Sequence, residues 1–406
     1  MTTITDTANG KQWATEYPEF GTGLVSTEPY ISTDYFERER ERLFRRVWLY
    51  VGRVEDVAQA GDYFVKEIEV CDASILVVRG QDGVIRGFHN ICTHRCNKLV
   101  WDECGRSRSF SCQFHGWTFK PDGQLTGVPD EDQFYDFKKG ELGLRPVALD
   151  SWKGFIFVNL DERPKESLAE HLGQLKDELI VHYPFDRPTD WWSWKVELEC
   201  NWKVILDAFS EGYHAPFVHR QTVKNIVADK SNPLTHPITL GIYGRHHMMS
   251  IPANPYFKPG AVAQLAFRYG PLMTRYRDVE LMKRLPPGVN PAGSDKWGFD
   301  MYCIFPNILV SMFGEWWHIH HFQPLGVNRT RWELRVFFPK AENAGQRFTQ
   351  EYTKCLLQDN MLEDLSTVEG SQSGMEARVV KHFTLQDQEI LIRHNQKAVK
   401  EFVNAE

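Results

Sequence analysis

The chain has 406 residues, enough for two or three domains, and its 42% of apolar residues can build a core without disulfide staples. Its 47 basic against 54 acidic residues leave a net charge of −7, which argues against the basic stripe of a nucleic-acid binder. No apolar run reaches the roughly 18 residues of a membrane span, and the opening MTTITDTANGKQWATEYPEF has no apolar leader core, so a cytoplasmic protein is expected.

Residues 33–50, TDYFERERERLFRRVWLY, read as one amphipathic helix in which Tyr35, Phe36, Leu43 and Trp48 break a charged face. Residues 1–50 are expected to form an N-terminal helical segment that packs with a catalytic domain. Residues 51–160 change to short strands. Ser74 to Val78 and Val84 to Phe88 flank the turn Gln81-Asp82-Gly83, and Asp122-Gly123 marks a second hairpin. Trp152 to Leu160 reads as one closing strand. Residues 161–406 mix the two textures. SLAEHLGQLKDEL reads as a helix, as do 346–372 and 385–403. Met301 to Val310, Trp316 to Gln323 and Arg331 to Phe338 read as strands, and the Pro- and Gly-rich 250–300 as long loops. The expected fold class is α+β: an N-terminal all-β domain, then a domain of antiparallel sheet and packed helices.

Eight cysteines do not make a disulfide framework in so long a chain, but Cys92, Cys96, Cys104 and Cys112 fall within 21 residues. Cys92-Thr93-His94 is followed, after 17 intervening residues, by Cys112-Gln113-Phe114-His115. Each half supplies one thiolate and one imidazole. Such a set suits a tetrahedral zinc ion, or a [2Fe–2S] cluster with two cysteines on one iron and two histidines on the other. Zinc fingers usually pair a Cys–Cys half with a His–His half, so the mixed halves suit the cluster better.

The run CTH…CQFHGWTF, with GQLTGVP behind it, resembles the Rieske domain of Rieske non-haem iron oxygenases. The resemblance implies that Cys92, His94, Cys112 and His115 hold one [2Fe–2S] cluster. The family commonly has glycine after the His-Arg pair, where this chain has Cys96. Neither Cys96 nor Cys104 is expected to ligate.

Further on, Trp202, Leu206, Phe209 and Tyr213 recur at helical spacing, which predicts a helix carrying Glu211 and His214 on one face. His214 and His219 stand about 140° apart on a regular helix. Pro216 between them is expected to break the helix and swing His219 back. Two histidines and a carboxylate form the facial triad that suits non-haem Fe(II). The candidate carboxylate is Asp364, the charged member of the stripe Leu357, Met361, Asp364 and Val368. Asp359 and Glu363 lie off that stripe and read as solvated. His318 and His320 offer a rival H-x-H pair with no carboxylate pattern nearby. His246-His247 reads as structural or surface. Phe209 reads equally as a pocket wall or a core residue.

NWK…EGYH…H, with Glu363-Asp364…Glu369…Gln372, resembles the catalytic domain of the same oxygenase family, and the likeness runs from about residue 30 to 400. It implies one mononuclear Fe(II) on His214, His219 and Asp364. It also implies that Glu211 is the electron-transfer bridge to His115 of a neighbouring chain, where many relatives have aspartate. A homotrimer follows, with an α3β3 assembly containing a small β subunit as a variant. Electrons would come from NAD(P)H through a ferredoxin and/or reductase, since no G-x-G-x-x-G opens a helix after a strand here. The expected reactants are O2 and an aromatic or other apolar cyclic compound, with cis-dihydroxylation or monohydroxylation preferred over oxidative dealkylation. The rival readings are a Rieske electron carrier without oxygenase chemistry and a zinc-bound structural protein.

Overall fold

A computed structural model describes residues 12–176, 182–187, 189–269, 283 and 285–405. The opening residues, the end of the helix expected from Ser167, and part of the 250–300 loops lie outside them. The chain divides into two compact units, Arg40–His171 and Met1–Glu39 with Leu172–Glu406. Among the described residues no helix is long and apolar enough to cross a membrane.

Helices α1 (Glu28–Ile31) and α2 (Thr33–Glu39) belong to the larger unit. The single helix expected over 33–50 is not observed. After a π-type turn at Arg40–Phe44 the chain enters strand β1 (Leu49–Arg53), whose five residues are all buried. The run Val47 to Val51 has no polar side to give a surface helix, and it is buried throughout.

In the smaller unit β1 is followed by β2 (Asp62–Ile68), β3 (Ala73–Arg79), β4 (Ile85–His89) and β5 (Cys104–Arg106). Then come β6 (Phe110–Ser111), β7 (Thr118–Phe119), β8 (Leu125–Gly127), β9 (Pro146–Trp152) and β10 (Phe155–Asn159). They form a seven-stranded sheet in the order β1-β10-β9-β4-β3-β2-β5 and a three-stranded sheet β6-β7-β8. The expected strand Trp152 to Leu160 is instead a hairpin end. Lys153 and Gly154, at φ 50° and 84°, make a two-residue turn between β9 and β10. Positive φ at both positions suits the right-handed twist of the flanking strands. Leu76, Phe88, Trp117 and Phe119 pack in one core cluster with Cys92 and Cys112.

In the larger unit a seven-stranded antiparallel sheet is built from β11 (Thr189–Leu198), β12 (Thr239–Tyr243), β13 (His246–Pro252), β14 (Trp297–Ile304), β15 (Ile308–Phe313), β16 (Trp316–Gly326) and β17 (Arg329–Pro339). Its order is β11-β17-β16-β15-β14-β13-β12. The run Met301 to Val310 is thus two strands, split at Phe305-Pro306-Asn307, where Pro306 has no N–H for the ladder. Four helices matter here: α3 (Trp202–Ala208), α4 (Ala215–Val218), α5 (Ala344–Glu376) and α6 (Ile390–Val403).

The Phe209 ring, just past α3, lies against His320 and Phe322 of β16, at ring-centroid distances of 4.6 and 5.6 Å. The sheet face bearing Trp316, His318, His320 and Phe322 is therefore the one that the end of α3 meets. Asn201 caps α3, its side-chain oxygen accepting the Lys203 N–H at 3.1 Å. Lys203 and Glu39, both buried, join α3 to α2 through an ion pair of 2.6 Å.

Candidate metal centres

In the smaller unit, two tight turns present the first ligand set. The Cys96 N–H donates to the Cys92 carbonyl at 3.0 Å, and the Gly116 N–H to the Cys112 carbonyl at 2.9 Å. Each turn also aims backbone N–H groups at its own sulfur: His94 and Arg95 at Cys92, Phe114 and His115 at Cys112. Burial pushes the Cys92 thiol up to about 11. At Cys112 burial acts the same way, but the N–H donors outweigh it and hold the thiol below its usual value. The His94 and His115 rings are 4.6 Å apart between centroids. Burial, then the neighbouring His115, lowers the His94 imidazole, and its Nδ1 is buried with no hydrogen-bond partner.

Two buried thiols cradled by N–H groups and an orphaned imidazole nitrogen fit an iron–sulfur cluster. Among the described residues, only His214, His219 and Asp364 place three or more such ligand atoms within 4.8 Å of one another. The Cys92–His94–Cys112–His115 set does not close on a single point, as a lone zinc ion would require. Cys96 is exposed and sits at φ 58°, the left-handed region. That backbone explains why glycine is usual at this turn position.

The second set is held by α5 and the segment after α3. The helix expected to run through Tyr213 ends at Ala208, and Glu211 to His214 form a turn. Pro216 does not break a helix. It opens one, in the first turn of α4, where its missing N–H has no partner to lose. Glu211 and His214 still meet, through a turn of their own. Glu211 accepts the His214 backbone N–H at 3.0 Å and touches its Nδ1 at 2.5 Å.

The His214 and His219 Nε2 atoms are 3.2 Å apart, and an Asp364 oxygen lies 3.3 Å from His219 Nε2 and 3.9 Å from His214 Nε2. Octahedral bonds of about 2.1 Å separate neighbouring ligand atoms by about 3 Å, so the cluster has the size of a metal's facial edge. Asp364 stands on the buried stripe with Leu357, Met361 and Val368. Burial pushes its carboxyl up to about 7, partly offset by His214. Burial and the His214 charge push His219 down to about 4. His214 is half-buried, and desolvation lowers it, but the Glu211 and Asp364 carboxylates outweigh that and hold it above its usual value. A buried carboxylate beside two imidazole lone pairs calls for a cation.

Glu363 is a correction to the sequence reading. It is not solvated but reaches back to His219 Nδ1 at 3.1 Å. Its oxygens also accept the Thr222 hydroxyl at 2.5 Å and the Gln221 N–H at 3.2 Å. Each imidazole of this candidate site thus has a carboxylate on Nδ1, which leaves Nε2 as the nitrogen that could ligate. The rival pair His318/His320 has its Nε2 atoms 3.0 Å apart, and no third ligand joins it among the described residues. His246 and His247 are both buried. His246 Nδ1 accepts the Phe305 N–H, and His247 meets His394 at 3.2 Å.

The family model described as ring hydroxylating alpha subunit (catalytic domain) matches residues 185–405, just over half of the chain, and that of the Rieske [2Fe-2S] domain matches 47–148. The carnitine monooxygenase oxygenase subunit of Acinetobacter baumannii is 30% identical over 218 residues, 51% of this chain and 55% of that protein. The alpha subunit of a 2-aminobenzenesulfonate 2,3-dioxygenase from Alcaligenes sp is 32% identical over 215 residues, 50% of this chain and 52% of that protein. The chain thus spans about half the length of these curated relatives. A solved quaternary ammonium Rieske monooxygenase shares the fold, with a TM-score of 0.75 at 20% identity over 98% of this chain and 100% of that chain.

Proposed function

The chain belongs to the ring hydroxylating alpha subunit family, with a Rieske [2Fe-2S] domain ahead of its catalytic domain, and from that membership we propose that it is the oxygenase component of a monooxygenase for a small quaternary ammonium compound. The observation that carries the oxygenase reading is the largely buried His214–His219–Asp364 cluster, each imidazole anchored by its own carboxylate. The quaternary ammonium reading rests on the carnitine relative and replaces the aromatic ring compound expected from the sequence. Ring dihydroxylation stays as a second reading because the aminobenzenesulfonate dioxygenase subunit is as similar.

In this proposal His214, His219 and Asp364 hold Fe(II), while Cys92, His94, Cys112 and His115 hold the cluster. When bound, the iron supplies an open-sided Lewis acid for O2 and the cluster supplies electrons one at a time. Glu211 and Glu363 keep protons on the Nδ1 atoms, so both Nε2 lone pairs face the centre. Glu211 also serves as the electron link to His115 of a neighbouring copy in a homotrimer, with or without a small β subunit. Overall, a C–H bond and O2 with two electrons and two protons give C–OH and water. The electrons come from NAD(P)H through a reductase or ferredoxin.

The test is iron and acid-labile sulfide per chain on anaerobically purified protein, followed by substrate-dependent O2 uptake. Three irons with two sulfides are expected, with uptake on carnitine, glycine betaine or choline and none on naphthalene. Asp364→Ala should take the count to two irons and two sulfides and abolish product. Retained product would remove the triad assignment.

A further inference from the structure

Among the described residues, two buried donors on one face of β16 have no partner. Trp332 donates its indole N–H to His320 Nδ1 at 3.0 Å. An indole nitrogen only donates, so His320 Nδ1 is the lone-pair nitrogen and the ring's proton sits on Nε2. That Nε2 is 3.0 Å from His318 Nε2, so it donates there. His318 then carries its own proton on Nδ1. Burial keeps both rings neutral, lowering His318 to about 3 and His320 well below its usual value. The chain of donors therefore runs in one direction, Trp332 to His320 to His318, and ends on a His318 Nδ1–H that is buried without a partner.

Two residues back on the same face, the Trp316 Nε1–H is also buried without a partner. Trp316 is 1% and His318 3% exposed. Their ring centroids are 5.8 Å apart, and both rings lie against Phe313. Ser311, paired directly with His318 across the β15–β16 ladder, adds a buried hydroxyl on this face. Buried N–H groups in folded proteins nearly always have an acceptor, so two orphans side by side mark a missing one. Neither group accepts, so a cation is excluded and an oxygen acceptor is called for. This face is the one met by Phe209, two residues before Glu211 in the metal-bearing segment.

We propose that Trp316 Nε1–H and His318 Nδ1–H bind the anionic oxygen end, a carboxylate or sulfonate, of the substrate whose other end is oxidised at the iron. The site rests on the oxygenase reading for its use, but its ligand chemistry follows from the two donors alone.

The test is calorimetric binding to the iron-loaded protein, with glycine betaine against choline, and benzoate and benzenesulfonate against benzyl alcohol. Charge-assisted hydrogen bonds predict that an acid binds about 10-fold or more tighter than its alcohol counterpart. Trp316→Phe and His318→Phe should each weaken the acid by roughly 10- to 100-fold and leave the alcohol within a few-fold. Trp316→Phe leaves the histidine pair intact, so it decides the matter if His318→Phe does not fold. Equal binding of acid and alcohol, or unaltered acid affinity in folded variants, overturns the proposal and assigns the donors to ordered water. If benzoate or benzenesulfonate follows the pattern and glycine betaine does not bind, the donor pair stands and the quaternary ammonium reading falls. If glycine betaine and choline bind equally, that reading stands and the donor pair falls.

Discussion

Glu211 and Glu363 do the same work on the two metal-site imidazoles, but only one was visible in the sequence. Glu211 precedes His214 by three residues, a spacing that any local reading tests. Glu363 serves His219 from 144 positions away and points off the buried stripe of its helix. Helical stripes sort residues by the direction of Cβ, and a glutamate's arm is long enough to return from the neighbouring face. Removing such an outer carboxylate typically lowers metal affinity about 10- to 100-fold. Glu363→Ala should therefore lose its mononuclear iron to a chelator at a 10- to 100-fold lower concentration than the native protein, with the cluster absorbance unchanged. That His214, His219 and Asp364 come together was legible because residue type and spacing carry ligand chemistry. The Trp316 and His318 donors were not, because their orphan state depends on Trp332, which donates from another strand.

Asp207 gives a second prediction at this scale. It accepts the Tyr30 hydroxyl at 2.5 Å, and burial pushes its carboxyl from 3.8 up to about 7. Between about pH 4 and 7 the folded chain keeps this proton while the unfolded chain has lost it. The unfolded state then binds fewer protons, so this group makes stability fall as pH rises through that window and level off above it. Asp207→Asn lacks the titration. Its melting temperature relative to the native protein should rise from pH 5 to pH 8, and a flat difference in parallel melts would refute the assignment.

Among the elements, α2 and α3 are joined where polar groups are costly to bury. Burial drives the Glu39 carboxyl up and the Lys203 ammonium down, and their mutual attraction and the Trp202 N–H work against both shifts or the first of them. Leaving either charge alone in the interior is worse than removing both. Glu39→Gln or Lys203→Met should each cost about 3–5 kcal/mol in urea unfolding, and the double variant less than the sum. The sequence placed α5 and α6 well because their apolar periodicity is long. It misjudged 201–219 because the apolar spacing of Trp202, Leu206, Phe209 and Tyr213 continues past the end of α3. Spacing records which residues face inward, and a turn can bury Phe209 as well as a helix can. The hairpins at Lys153-Gly154 and Pro306 were hidden in apolar runs, since β10, β14 and β15 are buried on both faces or nearly so and show no alternation.

Across the whole molecule, each of the two units has its own core and its own candidate metal site. Ligand binding stabilises the fold it completes, by about 3–4 kcal/mol when the free ligand is 100 to 1,000 times its Kd. A chelator that strips only the mononuclear iron should lower the melting of the larger unit. The cluster's visible absorbance should keep its own transition, and a shared downward shift of both would argue against separate units.

The two sites also differ in how much chain they need. Residues 92–115 contain the whole cluster set, whereas His219 and Glu363 are 144 positions apart. Domains generally fold as units in the order in which they leave the ribosome, at about 5–20 residues per second. The smaller unit is complete while α5 is still being translated, so cluster insertion has a head start of many seconds. The candidate iron pocket is complete only once Asp364 has emerged and docked. Nascent chains halted before that point would be coloured by the cluster yet have no place to keep a mononuclear iron.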